Sequence, residues 1–295
     1  MPRVTIEELL RSGAHFGHLT SRWNPKMASY IFMERNGIHI IDLKQTQAML
    51  DQAADAAGRF ASRGKKILFV GTKKQAQEVV RTEAQRSGMP YVTDRWLGGM
   101  LTNFQTIRRS IRRMETIQRQ EADGTLAQLK KKERLMRRRA RQKLERVLSG
   151  ISEMNRLPGA IFVVDVRREH IAVSEARKLN IPIIALADTN CDPDLVDFPI
   201  AANDDAVKSI ALFTRVIADA VLEGSRAGEI EREAARVEAE TRKAEAKQIA
   251  EERAAEKAAE KAKAVEIAAI PTATPEAAPT EGTPLEEPTA EQTEA

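Results

Sequence analysis

Residues 66–71 read KILFVG, a nearly continuous apolar run of the length of one β-strand. Two runs of the same kind follow, GAIFVVD at residues 159–165 and IPIIALAD at residues 181–188, and residues 199–202 add a candidate fourth. Strands that lack polar alternation are typical of a sheet covered on both faces. These runs therefore predict the strands of a parallel sheet.

Helical patterns with start and stop signals alternate with these runs, and they cover residues 73–87, 167–179 and 204–222. The first is expected to end at Gly88 and Pro90, and the last at Gly224. A β/α/β alternation predicts the α/β class, with a doubly wound, mainly parallel sheet.

An N-terminal hairpin is predicted ahead of this domain. Residues 30–33 and 38–41 are apolar and flank a turn that contains Asn36 and Gly37. Asn-Gly is a strong hairpin signal because both residues readily adopt positive φ. The predicted organisation is an N-terminal segment (1–42), the first part of the α/β domain (43–103), an insertion (104–150), the second part (151–226), a charged helix (227–269) and a disordered tail (270–295).

The insertion, residues 104–150, interrupts the β/α rhythm. Its apolar residues recur every three or four positions and predict an antiparallel helical hairpin with Asp123 and Gly124 at the turn, which projects from the domain as a coiled coil. We expect the seam to hold Ile107, Ile111, Met114, Met136, Leu144 and Val147, and we expect Arg108, Arg112, Arg138 and Arg141 to face outward. Residues 105–149 contain 15 Lys and Arg against 5 acids, a surplus that favours contact with a polyanion.

The C-terminal part of the chain differs in composition. All twelve aromatic residues lie at or before Phe213, and residues 227–295 carry a net charge of −8 against +12 for residues 1–226. Without aromatic residues this part cannot build a core of its own. We expect an exposed helix up to residue 269 and a Pro-rich disordered segment from residue 270.

Known catalytic and metal-binding motifs are absent. The segment around Gly58 and Lys66 precedes a strand instead of following one, so it does not form a phosphate-binding loop. His15 and His18 have no paired cysteines, so no metal site and no cofactor is predicted. The acids Asp165, Asp188, Asp192 and Asp194 follow strands, where α/β enzymes bind ligands. An enzyme that uses them with a nucleotide or a metal therefore stays as an alternative, beside helix capping and Asp-Pro turns.

Composition also bears on location. The single cysteine, Cys191, cannot form an intrachain disulfide, and no apolar run approaches the roughly 20 residues that a membrane-spanning helix needs. We therefore expect a cytoplasmic protein without membrane contact.

Several ordered motifs point to one family. They are HFGH (residues 15–18), RWNPKM (22–27), RNGIHIID (35–42), FVGTK (69–73), RWLGGMLTN (95–103), ADTNCDPD (187–194) and NDDA (203–206). Over residues 4–224 the sequence closely resembles the bacterial small-subunit ribosomal proteins of the S2 family.

The resemblance implies a flavodoxin-like α/β domain with a protruding coiled coil. It also implies a non-catalytic protein without a small-molecule substrate, bound to small-subunit ribosomal RNA between the head and the body of the particle. Neighbouring ribosomal proteins, among them the messenger-binding protein S1, are implied partners. The long tail after Arg226 departs from the family pattern, so its role is not carried over.

Basic and aromatic residues are the candidate RNA contacts, because phosphates attract cations and bases stack on aromatic rings. The predicted RNA-binding set is Arg22, Trp23, Lys26, Arg35, Lys73, Lys74, Arg95, Trp96, Arg108, Arg109, Arg112, Arg113, Arg137, Arg138 and Arg141. For Trp23 and Trp96, packing is the alternative role.

Overall fold

The computed structural model describes residues 2–268. The chain divides into two units, Met1–Ala234 and Ala235–Ala295. The tail predicted at residues 270–295 lies outside the described residues. No helix within residues 2–268 combines the length and the apolar composition that crossing a membrane requires.

Eight strands and seven α-helices carry the described part of the fold. The strands are β1 (Phe16–Leu19), β2 (Ile31–Arg35), β3 (Ile38–Ile41), β4 (Ile67–Val70), β5 (Tyr91–Val92), β6 (Ala160–Val164), β7 (Ile183–Ala187) and β8 (Phe198–Ala201). The helices are α1 (Ile6–Ser12), α2 (Leu43–Ser62), α3 (Lys74–Arg86), α4 (Phe104–Ala122), α5 (Lys131–Leu148), α6 (His170–Lys178) and α7 (Val207–Ala268).

The main sheet has five strands in the order β5-β4-β6-β7-β8, and every neighbouring pair is parallel. This is the 2-1-3-4-5 order of a doubly wound sheet, and the predicted α/β class is confirmed. Strand β5 was not predicted, because two residues are too short to give a periodic pattern.

Helices cover both faces of this sheet. Along β4, Ile67 and Phe69 enter one core with α2, α3 and α7, whereas Leu68 and Val70 enter the other with α4, α5 and α6. Because successive strand residues point to opposite faces, both sets of side chains must be apolar. This double burial is the physical reason for the continuous apolar runs.

A separate three-stranded antiparallel sheet, β1-β3-β2, lies in the N-terminal part. Its β2–β3 turn has φ values of 55° at Asn36 and 73° at Gly37, the left-handed conformation that the Asn-Gly pair predicted. The hairpin prediction lacked the third strand, β1.

Helices α4 and α5 occupy the insertion and pack against each other. Helix α4 buries Ile107, Ile111, Met114 and Ile117, and α5 starts at Lys131. The prediction for Met136 is wrong, since its side chain is 62% exposed. The half-buried Arg137 follows it in α5 and donates to Gln120 of α4 across the helix contact.

Helix α7 continues through Gly224, where the sequence predicted its end. A Cβ at Gly224 would collide with the backbone of Gly58 in α2, and one at Gly228 would collide with Ser62. Gly224 therefore allows two helices to approach closely and does not terminate α7.

Candidate functional site

Helix α4 presents the clearest basic surface. Arg109, Arg112 and Arg113 are exposed and have no acidic partner among residues 2–268. Their spacing places them on one side of α4, opposite the buried isoleucines, because residues three and four apart share a helix face. Arg108 is half-buried and donates to the carbonyl of Met154 at 3.2 Å.

The predicted arginines of α5 are ion-paired. Arg137 lies 2.9 Å from Glu133. Glu121 of α4 forms ion pairs with Arg138 at 2.9 Å and with Arg141 at 3.2 Å. The side chain of Arg141 is only 25% exposed, so it does not face outward as expected. These three residues are less free to meet phosphate than the α4 set.

The N-terminal candidates surround an exposed tryptophan. The ring of Trp23 is 39% exposed and lies 5.1 Å from the ring of His39. Arg22 and Arg35 are exposed without an acidic partner among the described residues. Lys26 lies 2.7 Å from both Asp192 and Asp194, so those two acids neutralise a base at the protein surface.

The remaining four candidates divide into two exposed and two buried residues. Lys74 and Arg95 are exposed. Trp96 is 7% exposed, and its Nε1 donates to Glu175 at 3.1 Å, so its ring packs in the core and is closed to a stacking base. Lys73 is 8% exposed and lies in a cluster of acids.

This cluster lies at the edge of the main sheet where β4, β6 and β7 end. The ammonium of Lys73 lies 2.8 Å from Asp204 and 3.4 Å from Asp165, and it also pairs with Asp205. Burial alone would lower the pKa of Lys73, but the carboxylates outweigh burial and raise it. Lys73 is therefore a permanent cation inside the fold.

His18 and Asp188 complete the cluster. His18 Nδ1 lies 3.0 Å from Asp188, and this hydrogen bond raises the pKa of His18 against the effect of burial. Burial, with the charges of Asp165 and Asp188, raises the pKa of Asp204 to about 7 although Lys73 opposes the shift. Several acids thus surround the Lys73 cation and the ring of His18 in a largely buried site.

The same residues have the chemistry of a cation site. His18, Asp188 and Asp204 bring one potential ligand atom each to within 4.8 Å of one another. A ring nitrogen and carboxylate oxygens are ligands that a divalent metal accepts. The sequence placed Asp165 and Asp188 at strand ends, but it did not reveal His18, Lys73 or Asp204 as their partners, because these contacts join distant parts of the chain.

The alternative hypothesis, an enzyme, named four acids at strand ends as its candidate site. The structure gathers Asp165 and Asp188 in the cluster, while Asp192 and Asp194 lie on Lys26. The thiol of Cys191 is buried, and burial raises its pKa, so it is a poor nucleophile.

Comparison with known proteins gives one consistent result. The family described as "Ribosomal protein S2" matches residues 9–224. A Salinibacter ruber protein named "Small ribosomal subunit protein uS2" is 66% identical over 222 residues, which cover 75% of this chain and 69% of the relative. Proteins of the same name from Chloroherpeton thalassium and Chlorobaculum tepidum are 58% and 59% identical, and the matches cover 83% and 78% of this chain and 100% and 92% of the relatives.

Proposed function

Because the chain belongs to the ribosomal protein S2 family, we propose that it is a structural constituent of the small ribosomal subunit that binds ribosomal RNA. Proteins of this family are structural components of the ribosome and not enzymes. The function to explain is therefore RNA binding and assembly into the ribosome.

The observation that carries the RNA-binding proposal is the row Arg109, Arg112 and Arg113. These guanidinium groups have no acidic partner among the described residues, and the apolar residues of α4 hold the helix in place. A folded chain that keeps cations exposed and unpaired is suited to a polyanion. Each contact with a phosphate releases counterions, so affinity is gained without reading sequence.

A second group of exposed residues extends this surface in our proposal. Arg22, Trp23 and Arg35 lie in the N-terminal part, and Lys74 and Arg95 lie in loops and helices of the α/β domain. The exposed ring of Trp23 offers a face on which an unpaired base stacks. Arg137, Arg138 and Arg141 contribute weaker contacts, since each exchanges a carboxylate for a phosphate.

The finer placement follows the family. We propose that the α/β domain, formed by segments 43–103 and 151–226, lies with the N-terminal segment 1–42 between the head and the body of the small subunit. The insertion at 104–150 is its protruding coiled coil. The charged segment from residue 227 departs from the family pattern and is given no place in the particle. Neighbouring ribosomal proteins, with S1 among them, are proposed partners. Exposed apolar side chains on the three-stranded sheet support a contact with another protein. These residues are Phe16, Leu19, Phe32 and Met33.

Reconstitution tests the proposed function. Small subunits assembled without this protein are mixed with the full chain and sedimented through sucrose at moderate salt. We expect saturable co-sedimentation at one copy per particle, and release as the salt concentration rises. A protein that stays at the top of the gradient at every salt concentration contradicts the proposal.

A further inference from the structure

A single buried carboxylate organises the loop between β5 and α4. Glu175, in helix α6, accepts hydrogen bonds of 2.7–3.1 Å from five donors of this loop. The donors are the indole of Trp96, the backbone amides of Gly99, Leu101 and Thr102, and the hydroxyl of Thr102. Both carboxylate oxygens are used, and these hydrogen bonds hold Trp96, Gly99, Leu101 and Thr102 against α6.

The negative charge of Glu175 is compensated by hydrogen bonds inside the fold. The residue is 8% exposed, and burial alone would raise its pKa, but the hydrogen bonds from the loop outweigh burial and lower it. Glu175 therefore stays ionised while its five donors neutralise it locally. An anion that approaches the outer side of the loop meets little repulsion from this acid.

Gly98 lies at the outer side of the same loop and has no role in the chain's own packing. Its φ lies outside the left-handed region, and no atom lies within 4 Å of the position that a Cβ would take. Every other glycine within residues 2–268 either has a left-handed φ or has an atom within 4 Å of that position. Most of those glycines are therefore required by a left-handed φ or by a close neighbour, whereas Gly98 has neither.

The surroundings of Gly98 are suited to a polyanion. Arg95 is exposed and has no acidic partner among the described residues, and Asn103 is exposed and makes no capping hydrogen bond. The nearby acid Asp94 is neutralised by Arg146 at 2.9 Å. Helix α4 begins beside the loop without an acid in its first turn, so its positive end also favours negative charge.

We propose that residues 95–103 are a preformed contact surface for the sugar–phosphate backbone of ribosomal RNA, that Gly98 marks the closest approach of that backbone, and that Glu175 is the positioning residue that fixes the surface. The inference rests on the proposed RNA-binding function and assigns this loop a part in it. A side chain at position 98 fills space that the RNA backbone needs, and leaves the free protein unstrained.

Substitution of Gly98 tests the close approach. In the free full-length chain, Gly98→Ala keeps the thermal midpoint or raises it slightly, because alanine restricts the unfolded chain. Its association with small subunits lacking this protein weakens about tenfold, the typical effect of an extra methyl group at a close-packed contact. Gly98→Gln weakens association further. The matched control, Ala227→Gln at an exposed position of α7, associates like the wild type.

The result that overturns the inference is wild-type association of both Gly98 variants. If the substitution of Arg109, Arg112 and Arg113 by Gln weakens association at the same time, the proposed function stands and the role of the loop fails alone. A lower thermal midpoint for Gly98→Ala also contradicts the account, because position 98 then serves the fold.

A tethered radical source identifies the partner at the loop. Asn103→Cys carries iron-EDTA, and the native thiol of Cys191 is buried and stays unlabelled. In assembled small subunits we expect strand cuts in ribosomal RNA close to the loop, and no such cuts from Ala227→Cys. Absence of RNA cuts, with cleavage of a neighbouring ribosomal protein instead, overturns the choice of RNA as the occupant.

Discussion

Replacement of Lys73 by Met removes a buried cation while keeping most of the volume of its side chain. In the wild type the ammonium lies 2.8 Å from Asp204, which is 1% exposed, and 3.4 Å from Asp165. Breaking a buried pair by removing one partner costs about 3–5 kcal/mol, because the remaining charge stays buried and unpaired. We expect Lys73→Met to lower the free energy of unfolding by this amount at pH 8.

The cost depends on pH in a known direction. Without Lys73, the carboxyl of Asp204 holds its proton more strongly, since burial and Asp188 already raise its pKa and the opposing cation is gone. Protonation removes the buried charge, so the loss is smaller at pH 6 than at pH 8. The double variant Lys73→Met with Asp204→Asn recovers part of the loss at both values.

Urea unfolding of the full-length chain, followed by circular dichroism at pH 6 and pH 8, measures these differences. Lys74→Met is the matched control, because Lys74 is exposed and makes no ion pair within the described residues. We expect it to change stability by less than about 0.5 kcal/mol. If Lys73→Met costs no more than Lys74→Met, the charge cluster does not stabilise the fold and the reasoning is refuted.

Three further predictions concern the cluster, the insertion and the tail. The wild type loses about 1 kcal/mol of stability from pH 6 to pH 8, because folded Asp204 holds a proton with a pKa of about 7 while the unfolded carboxyl is already ionised. Urea unfolding of the wild type and of Asp204→Asn over this pH range checks the loss, and an equal pH dependence of the two contradicts it. His18 has a raised pKa and adds a loss of the same sign as pH rises. Leu144 is half-buried, so Leu144→Ala lowers the thermal midpoint and lowers the free energy of unfolding by about 2 kcal/mol, the low end of the range for leucine. Met136→Ala, at an exposed position, changes stability little. Calorimetry that ranks the two variants in the opposite order refutes the assigned helix contact. Deletion of residues 235–295 leaves association with the small subunit nearly unchanged, because these residues include no aromatic side chain and carry more acids than bases. A large drop in co-sedimentation contradicts this prediction and shows that the deleted residues contact a neighbour.

Local patterns predicted most of the sheet. The runs at 66–71, 159–165 and 181–188 became β4, β6 and β7 because burial on both faces demands apolar residues at every position. Asn36 and Gly37 form the predicted turn because positive φ is a property of these residues themselves. In each case the cause lies within a few neighbouring residues.

The predictions that were wrong depend on contacts between distant parts of the chain. Gly224 signals a helix end by itself, and only the approach of α2 reveals that it serves close packing. Met136 fits the helical period, but it is exposed in the structure, and its neighbour Arg137 is the half-buried residue of this pair that contacts α4. Trp96 resembles a stacking residue until Glu175 is placed beside it. Such facts depend on contacts between distant segments and cannot be taken from a local pattern.

The sequence also predicted the candidate site only in part. The basic surplus of residues 105–149 indicated a polyanion partner, but ion pairs with Glu121 and Glu133 divided the arginines into free and bound groups. The cluster around Lys73 gathers residues from five segments between His18 and Asp205, which no spacing rule joins.

The salt dependence of association tests the central claim that free arginines of α4 meet phosphate. Wild type and the triple variant Arg109→Gln, Arg112→Gln and Arg113→Gln are titrated onto small subunits lacking this protein at a series of salt concentrations. Arg215, Arg226 and Arg242, replaced together by Gln on α7, are the control. We predict that the α4 variant binds more weakly and that its slope of log affinity against log salt is shallower by about 2–3, roughly one for each lost contact. An unchanged slope, with wild-type affinity, would contradict the account.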